Sequence, residues 1–67
     1  MIETLAQRLR RLRQEIGLSQ EEVARRSGVP VSTLRALEHG RRLSPTLDTA
    51  GRLADALGIR LDDLRTR

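Results

Sequence analysis

Leu5, Leu9, Leu12 and Ile16 recur at steps of four, three and four, drawing one apolar stripe along an amphipathic helix. Gly17 is its expected stop, since a left-handed residue closes a helix without steric cost. The run Ser19-Gln20-Glu21-Glu22 has the form of a capping box, with Ser19 accepting from the Glu22 amide and the Glu22 carboxylate reaching back. It predicts a short second helix, with Val23, Ala24 and Ser27 facing inward, that ends near Gly28. Pro30 has a fixed φ and no amide, so it suits the entrance to a third helix over residues 31–39, closed by Gly40. A polar connection from Arg41 to Ser44 follows. Pro45-Thr46 then opens a fourth helix with Leu47, Ala50, Leu53, Ala54 and Leu57 on one face. Gly58 stops it, and Leu61-Asp62-Asp63-Leu64 suffices for a last turn. No run alternates with period two for long enough to specify a strand. The expected class is all-α, in about five helical segments, with no internal repeat or linker.

Two short helices joined by Gly28-Val29-Pro30 have the dimensions of a helix-turn-helix. At about 100° per residue, Leu34 and Leu37 lie within about 60° of each other and define the buried side of the third helix. Ser32, Arg35, Ala36 and His39 then point the opposite way, with Val31 and Thr33 flanking them. That leaves a short-chained, largely uncharged outer surface in which Arg35 is the one long side chain with several donors.

Composition narrows what such a surface is for. Thirteen basic and nine acidic side chains leave a net charge of +4, and every basic residue is Arg. The chain has no Phe, Trp or Tyr, which removes modules that stack unpaired bases on aromatic rings. A basic surface without rings favours a polyanion read through its backbone and grooves, hence double-stranded DNA; a general bias toward Arg with no partner is the alternative. Without Cys there are no disulfides and no thiolate metal sites, and the single His39 has no metal-binding company. Glu21-Glu22 and Asp62-Asp63 are neighbours in first helical turns, where acids complement the dipole and adjacent side chains do not face each other. No nucleophile–base set or phosphate-cradling loop is present, so neither an enzyme nor a cofactor is expected. Nothing approaches the roughly 18 apolar residues of a membrane span. Met1-Ile2-Glu3-Thr4 is unlike a secretion signal, so a cytoplasmic protein is expected. Twelve Leu, three Ile and three Val make a thin core, one that dimerisation would support.

The run Gly17-Leu18-Ser19-Gln20-Glu21-Glu22-Val23-Ala24, then Ser27-Gly28-Val29-Pro30-Val31-Ser32-Thr33-Leu34, then Leu37-Glu38-His39-Gly40-Arg41-Arg42, resembles the phage repressor and Cro-type (XRE-like) DNA-binding domain. Leu53-Ala54-Asp55-Ala56-Leu57-Gly58-Ile59 is similar to that family's fourth helix and exit. The resemblance implies a single five-helix domain over residues 1–67, with the motif at about 19–39 and the recognition helix at about 31–39 in the major groove. It places Gln20 on a backbone phosphate, at a helix start whose amides also favour an anion. Ser32 and Ala36 match base-contacting positions, and Val31 and Thr33 would add apolar or hydroxyl contacts. Arg35 adds the side chain best suited to guanine; a phosphate contact, or a fold onto Glu38 or the helix surface, is the alternative. Arg41 and Arg42, in the loop after the third helix, and His39 at its end are expected near phosphates. Arg8, Arg10 and Arg11 are expected on a solvated face. Arg13 and Glu38 match an ion pair that links the first helix to the third. Leu43 looks inserted relative to the family's usual spacing and is expected in the core or at a dimer contact. The function implied is sequence-specific DNA binding by a homodimeric transcriptional regulator, most simply a repressor at a near-palindromic operator. Ile59, Arg60, Leu61 and Leu64 are its expected dimer interface. A protein-interaction module such as an antitoxin, with a toxin as partner, and the DNA-binding fragment of a larger regulator are the alternatives.

Overall fold

Three of the four α-helices begin at a hydroxyl that accepts from an amide of the first turn. In the computed structural model, which describes residues 3–42 and 44–64, Thr4 caps α1 (Leu5–Glu15), Ser19 caps α2 (Gln20–Ser27) and Thr46 caps α4 (Leu47–Leu57). The complete capping box is at Thr4, whose hydroxyl accepts from the Gln7 amide while the Gln7 side chain accepts from the Thr4 amide. At Ser19 only half of the expected box forms. Ser19 Oγ accepts from the Glu22 amide at 3.0 Å, but the Glu22 carboxylate turns to Arg25 and Arg26. Pro30 lies one residue before α3 (Val31–Glu38), and its carbonyl accepts from the amides of Thr33 and Leu34.

The chain ends its described course in a 3₁₀ turn, Leu61–Leu64, rather than in a fifth α-helix. Asp63 closes that turn in both directions, its amide donating to the Arg60 carbonyl and its carboxylate accepting from the Arg60 amide. Four residues supply a single turn, too few to offset the cost of helix nucleation. The five-helix expectation is corrected to four α-helices and this turn; no strand occurs among the described residues.

Leu9, Val23, Val29, Leu34, Leu37, Leu53, Ala54, Leu57 and Leu64 form the core, so every helix and the 3₁₀ turn contribute. Leu5, Leu12, Leu18, Ala56 and Ile59 pack around it. Two expected inward residues lie outside. Ile16 is 47% exposed because α1 stops at Glu15 and Ile16 leaves the helical register. Leu47 is 77% exposed. It is the first residue of α4, and its direction is about 70° from the mean of Leu53, Ala54 and Leu57 at about 100° per residue. Leu43 lies outside the described residues.

The turn between α2 and α3 is the most constrained link. Gly28 takes φ +75° and its amide donates to the Ala24 carbonyl, a left-handed cap that favours glycine. A Cβ there would also stand 3.3 Å from Arg52 Nη1 of α4. The buried Ser27 hydroxyl then accepts from the Val29 amide at 3.1 Å, turning the chain so that Val29 enters the core.

Candidate nucleic-acid interface

Leu34 and Leu37 are fully buried on the inner side of α3, which fixes its rotation. Its outer side presents Ser32, Arg35 and His39 to solvent, with Val31, Thr33 and Ala36 half-buried at the margins. An α-helix with its side chains is about 10–12 Å across, commensurate with the roughly 12 Å width of the B-DNA major groove. Beyond α3, Gly40, Arg41 and Arg42 are exposed. The amides of Arg41 and Arg42 both donate to the Ala36 carbonyl, at 3.0 and 3.2 Å. The loop is thereby folded back on the end of α3. Its amides are engaged, so an anion at this edge meets the two guanidinium groups.

Behind this face, Arg13 and Glu38 pair in a two-pronged arrangement. Arg13 Nε donates to Glu38 Oε2 at 2.8 Å and Nη2 to Oε1 at 2.9 Å. Glu38 is 2% exposed. Arg13 Nη1 also donates to the Leu18 carbonyl at 2.8 Å, so one guanidinium joins α1, the entry to α2 and the end of α3. Hydrogen bonding to Glu38 raises the Arg13 pKa against the opposing effect of its desolvation.

Gln20 stands half-buried at the start of α2, and its Nε2 donates to Glu38 Oε1 at 3.2 Å. Its amide plane is thereby held, with a second N–H left for another acceptor. Arg10 is 47% exposed, as on a solvated face, and also donates through Nη2 to the Glu38 carbonyl at 2.9 Å. Spacing along α1 does not announce that contact, because the partner is 28 residues away. Arg8 and Arg11 bind Glu3 on the far side of α1.

Arg35, on the exposed side of α3, is also paired. Its Nη2 donates to Glu21 Oε2 across the turn at 2.8 Å. The Glu21 carboxyl is held below its usual pKa, first by its own backbone amide and then by Arg35. At the opposite end, Ile59 is half-buried while Arg60 and Leu61 are exposed. Leu64, 4% exposed, is committed to the protomer's own core. Of the four residues expected at a dimer contact it is the most buried. Among the described residues no three His, Cys, Asp or Glu side chains gather as a metal site, and no helix is long and apolar enough to cross a membrane.

Residues 9–64 match the model of the helix-turn-helix family. An uncharacterized HTH-type transcriptional regulator of Sinorhizobium fredii is 55% identical over 49 residues, 73% of this chain and 62% of that protein. Another from Methanothermobacter thermautotrophicus is 54% identical over 50 residues, 75% of this chain and 71% of its own length. The chain also covers 46% of the HTH-type transcriptional regulator DdrOP3 of Deinococcus deserti, at 43% identity over 60 residues. Among solved structures, the restriction-modification controller protein C.AhdI of Aeromonas hydrophila superposes with a TM-score of 0.86 at 41% identity, over 91% of both chains. With its buried Arg13–Glu38 pair, glycine-capped turn and outward α3, the chain belongs to the XRE-like helix-turn-helix family of DNA-binding transcriptional regulators.

Proposed function

We propose that this chain binds duplex DNA sequence-specifically as a homodimer and represses transcription from a near-palindromic operator. The observation that carries the reading is α3 itself: locked inward by Leu34 and Leu37, it turns Ser32, Arg35 and His39 to solvent beside two exposed arginines. In this reading residues 19–39 act as the motif. Val31, Ser32, Thr33, Arg35 and Ala36 meet base edges. Gln20 offers its remaining N–H to a phosphate, and His39, Arg41 and Arg42 meet phosphates at the other edge of α3. Two copies joined through Ile59, Arg60 and Leu61 would set their α3 helices in successive major grooves about 10 bp apart. The likeness to a restriction-modification controller supports a DNA-binding regulator.

Selection of bound sites from a random duplex library at about 0.15 M salt tests it, salt being stated because phosphate contacts make affinity steeply salt-dependent. A palindrome with half-sites one helical turn apart is the expected result, and Arg35→Ala should then relax preference at one base pair in each half-site by about 1–3 kcal/mol. Recovery of a lone half-site would refute the homodimer. Weak, salt-labile binding with no motif would refute sequence-specific regulation altogether.

A further inference from the structure

Glu21 and Arg35 are the second residue of α2 and the fifth of α3, and they meet over the open side of the turn between them. Both side chains are substantially in water, 65% and 47% exposed. Pairs exposed to that degree add little to stability, since water screens them and two long side chains must be ordered to make them. The packing of α2 against α3 already rests on Val23, Val29 and Leu34, which are buried. The contact therefore contributes little to holding the helices together; what it governs is the direction of Arg35.

An unpaired arginine on a surface helix samples many rotamers, and a two-pronged bond to guanine must order all of them. With Nη2 bonded to Glu21, part of that ordering is already made before DNA arrives. The second N–H of Nη2, those of Nη1 and the Nε–H stay available, enough for the paired acceptors O6 and N7 of guanine. The carboxylate also acts as a filter. It is repelled by phosphates and by base acceptors unless a guanidinium stands between, so a site that fails to engage Arg35 and offers no amino donor in its place leaves Glu21 facing like charge.

We infer that Glu21 is a positioning and specificity-determining residue: the Glu21–Arg35 pair, rather than Arg35 alone, sets a guanine preference at one base pair of each half-site. The inference rests on the DNA-binding reading above and deepens it at one position.

The test uses the full chain and four labelled duplexes of the selected site that differ only at the base pair assigned by Arg35→Ala. Affinities are measured for the parent, Glu21→Gln and Glu21→Ala. Glu21→Ala should lower the guanine-to-other ratio at that pair by about fivefold or more, while ratios at other positions stay at the parent value. Glu21→Gln, whose amide oxygen still accepts from Arg35, should retain part of the ratio. Thermal unfolding of both should fall only slightly below the parent, by the small amount that an acid in a first helical turn contributes. Ratios kept at parent values while affinity rises equally on all four duplexes would make Glu21 a plain negative charge near the backbone and overturn the inference. An Arg35→Ala variant that keeps the parent preference everywhere would overturn it too. In both cases the parent chain still selects a motif, whereas failure of the DNA-binding reading appears as no motif at all.

Discussion

Removing either partner of the Arg13–Glu38 pair should unfold much of the population, and removing both should cost less than the two losses combined. The Glu38 side chain is 1% exposed and the Arg13 side chain 13%. Truncating one partner of a buried pair leaves the other charge desolvated, at about 3–5 kcal/mol. A core of this size supplies roughly 3–5 kcal/mol in total, so either single loss approaches the whole stability of the domain. The two losses should not be equal. Arg13→Met leaves Glu38 inside with Gln20 donating at 3.2 Å and the half-exposed Arg10 guanidinium 4.0 Å away. Glu38→Leu leaves Arg13 with the Leu18 carbonyl and a short path to solvent, so it should cost less. The double variant Arg13→Met/Glu38→Leu puts apolar groups of similar reach in the same space, with a cost expected near or below that of Glu38→Leu alone. Urea unfolding followed by far-UV circular dichroism gives the three values; fluorescence is excluded because the chain has no Trp or Tyr. The coupling between the two sites should be at least about 1 kcal/mol, well outside the roughly 0.5 kcal/mol scatter of independent sites. Additivity within that scatter would refute the argument, since it would mean that neither charge depends on the other for its burial.

Gly28→Ala should cost about 1–2 kcal/mol in the same urea assay, from a left-handed backbone that disfavours a Cβ and from the 3.3 Å approach to Arg52 Nη1. A loss no larger than that of an ordinary surface Ala substitution would contradict it. Leu34→Ala, at full burial, should cost about 2–5 kcal/mol and unfold most of the chain at 25 °C, whereas Leu47→Ala, at 77% exposure, should stay within about 0.5 kcal/mol of the parent. Acid unfolding should carry a contribution from Glu3, whose carboxyl is lowered from 4.5 to about 2, first by its hydrogen bond to Arg11. Because the folded value lies below the unfolded one, that stabilisation is complete above pH 4.5 and lost as pH falls toward 2. Glu3→Gln should therefore show a shallower decline in urea midpoint across that window than the parent, and parallel declines would exclude the contribution.

Much of this fold is local chemistry and stands openly in the sequence. The caps at Ser19 and Thr46, the stop at Gly28 and the inward side of α3 each depend on residues within about four positions, the range of a helical hydrogen bond. That range is why the exposure of Ser32, Arg35 and His39 follows from the spacing of Leu34 and Leu37 alone. The Arg13–Glu38 pair was different: spacing made it reasonable, but it was the likeness to a family that named it. Elsewhere the tertiary structure decided. Leu47 and Leu64 are both leucines at the edges of apolar segments, yet one lies in water and the other in the core, because only the packing of α4 and the 3₁₀ turn sets which edge the core reaches. Thirteen arginines face nine acids, and helical periodicity does not select among pairs such as Arg35 with Glu21, 14 residues apart, or explain why Arg10 meets the Glu38 carbonyl while Arg11 meets Glu3. Glu3 is placed by the chain's entry into α1; between helices those choices follow from how the helices cross, and periodicity within one helix carries no information about where the next helix stands.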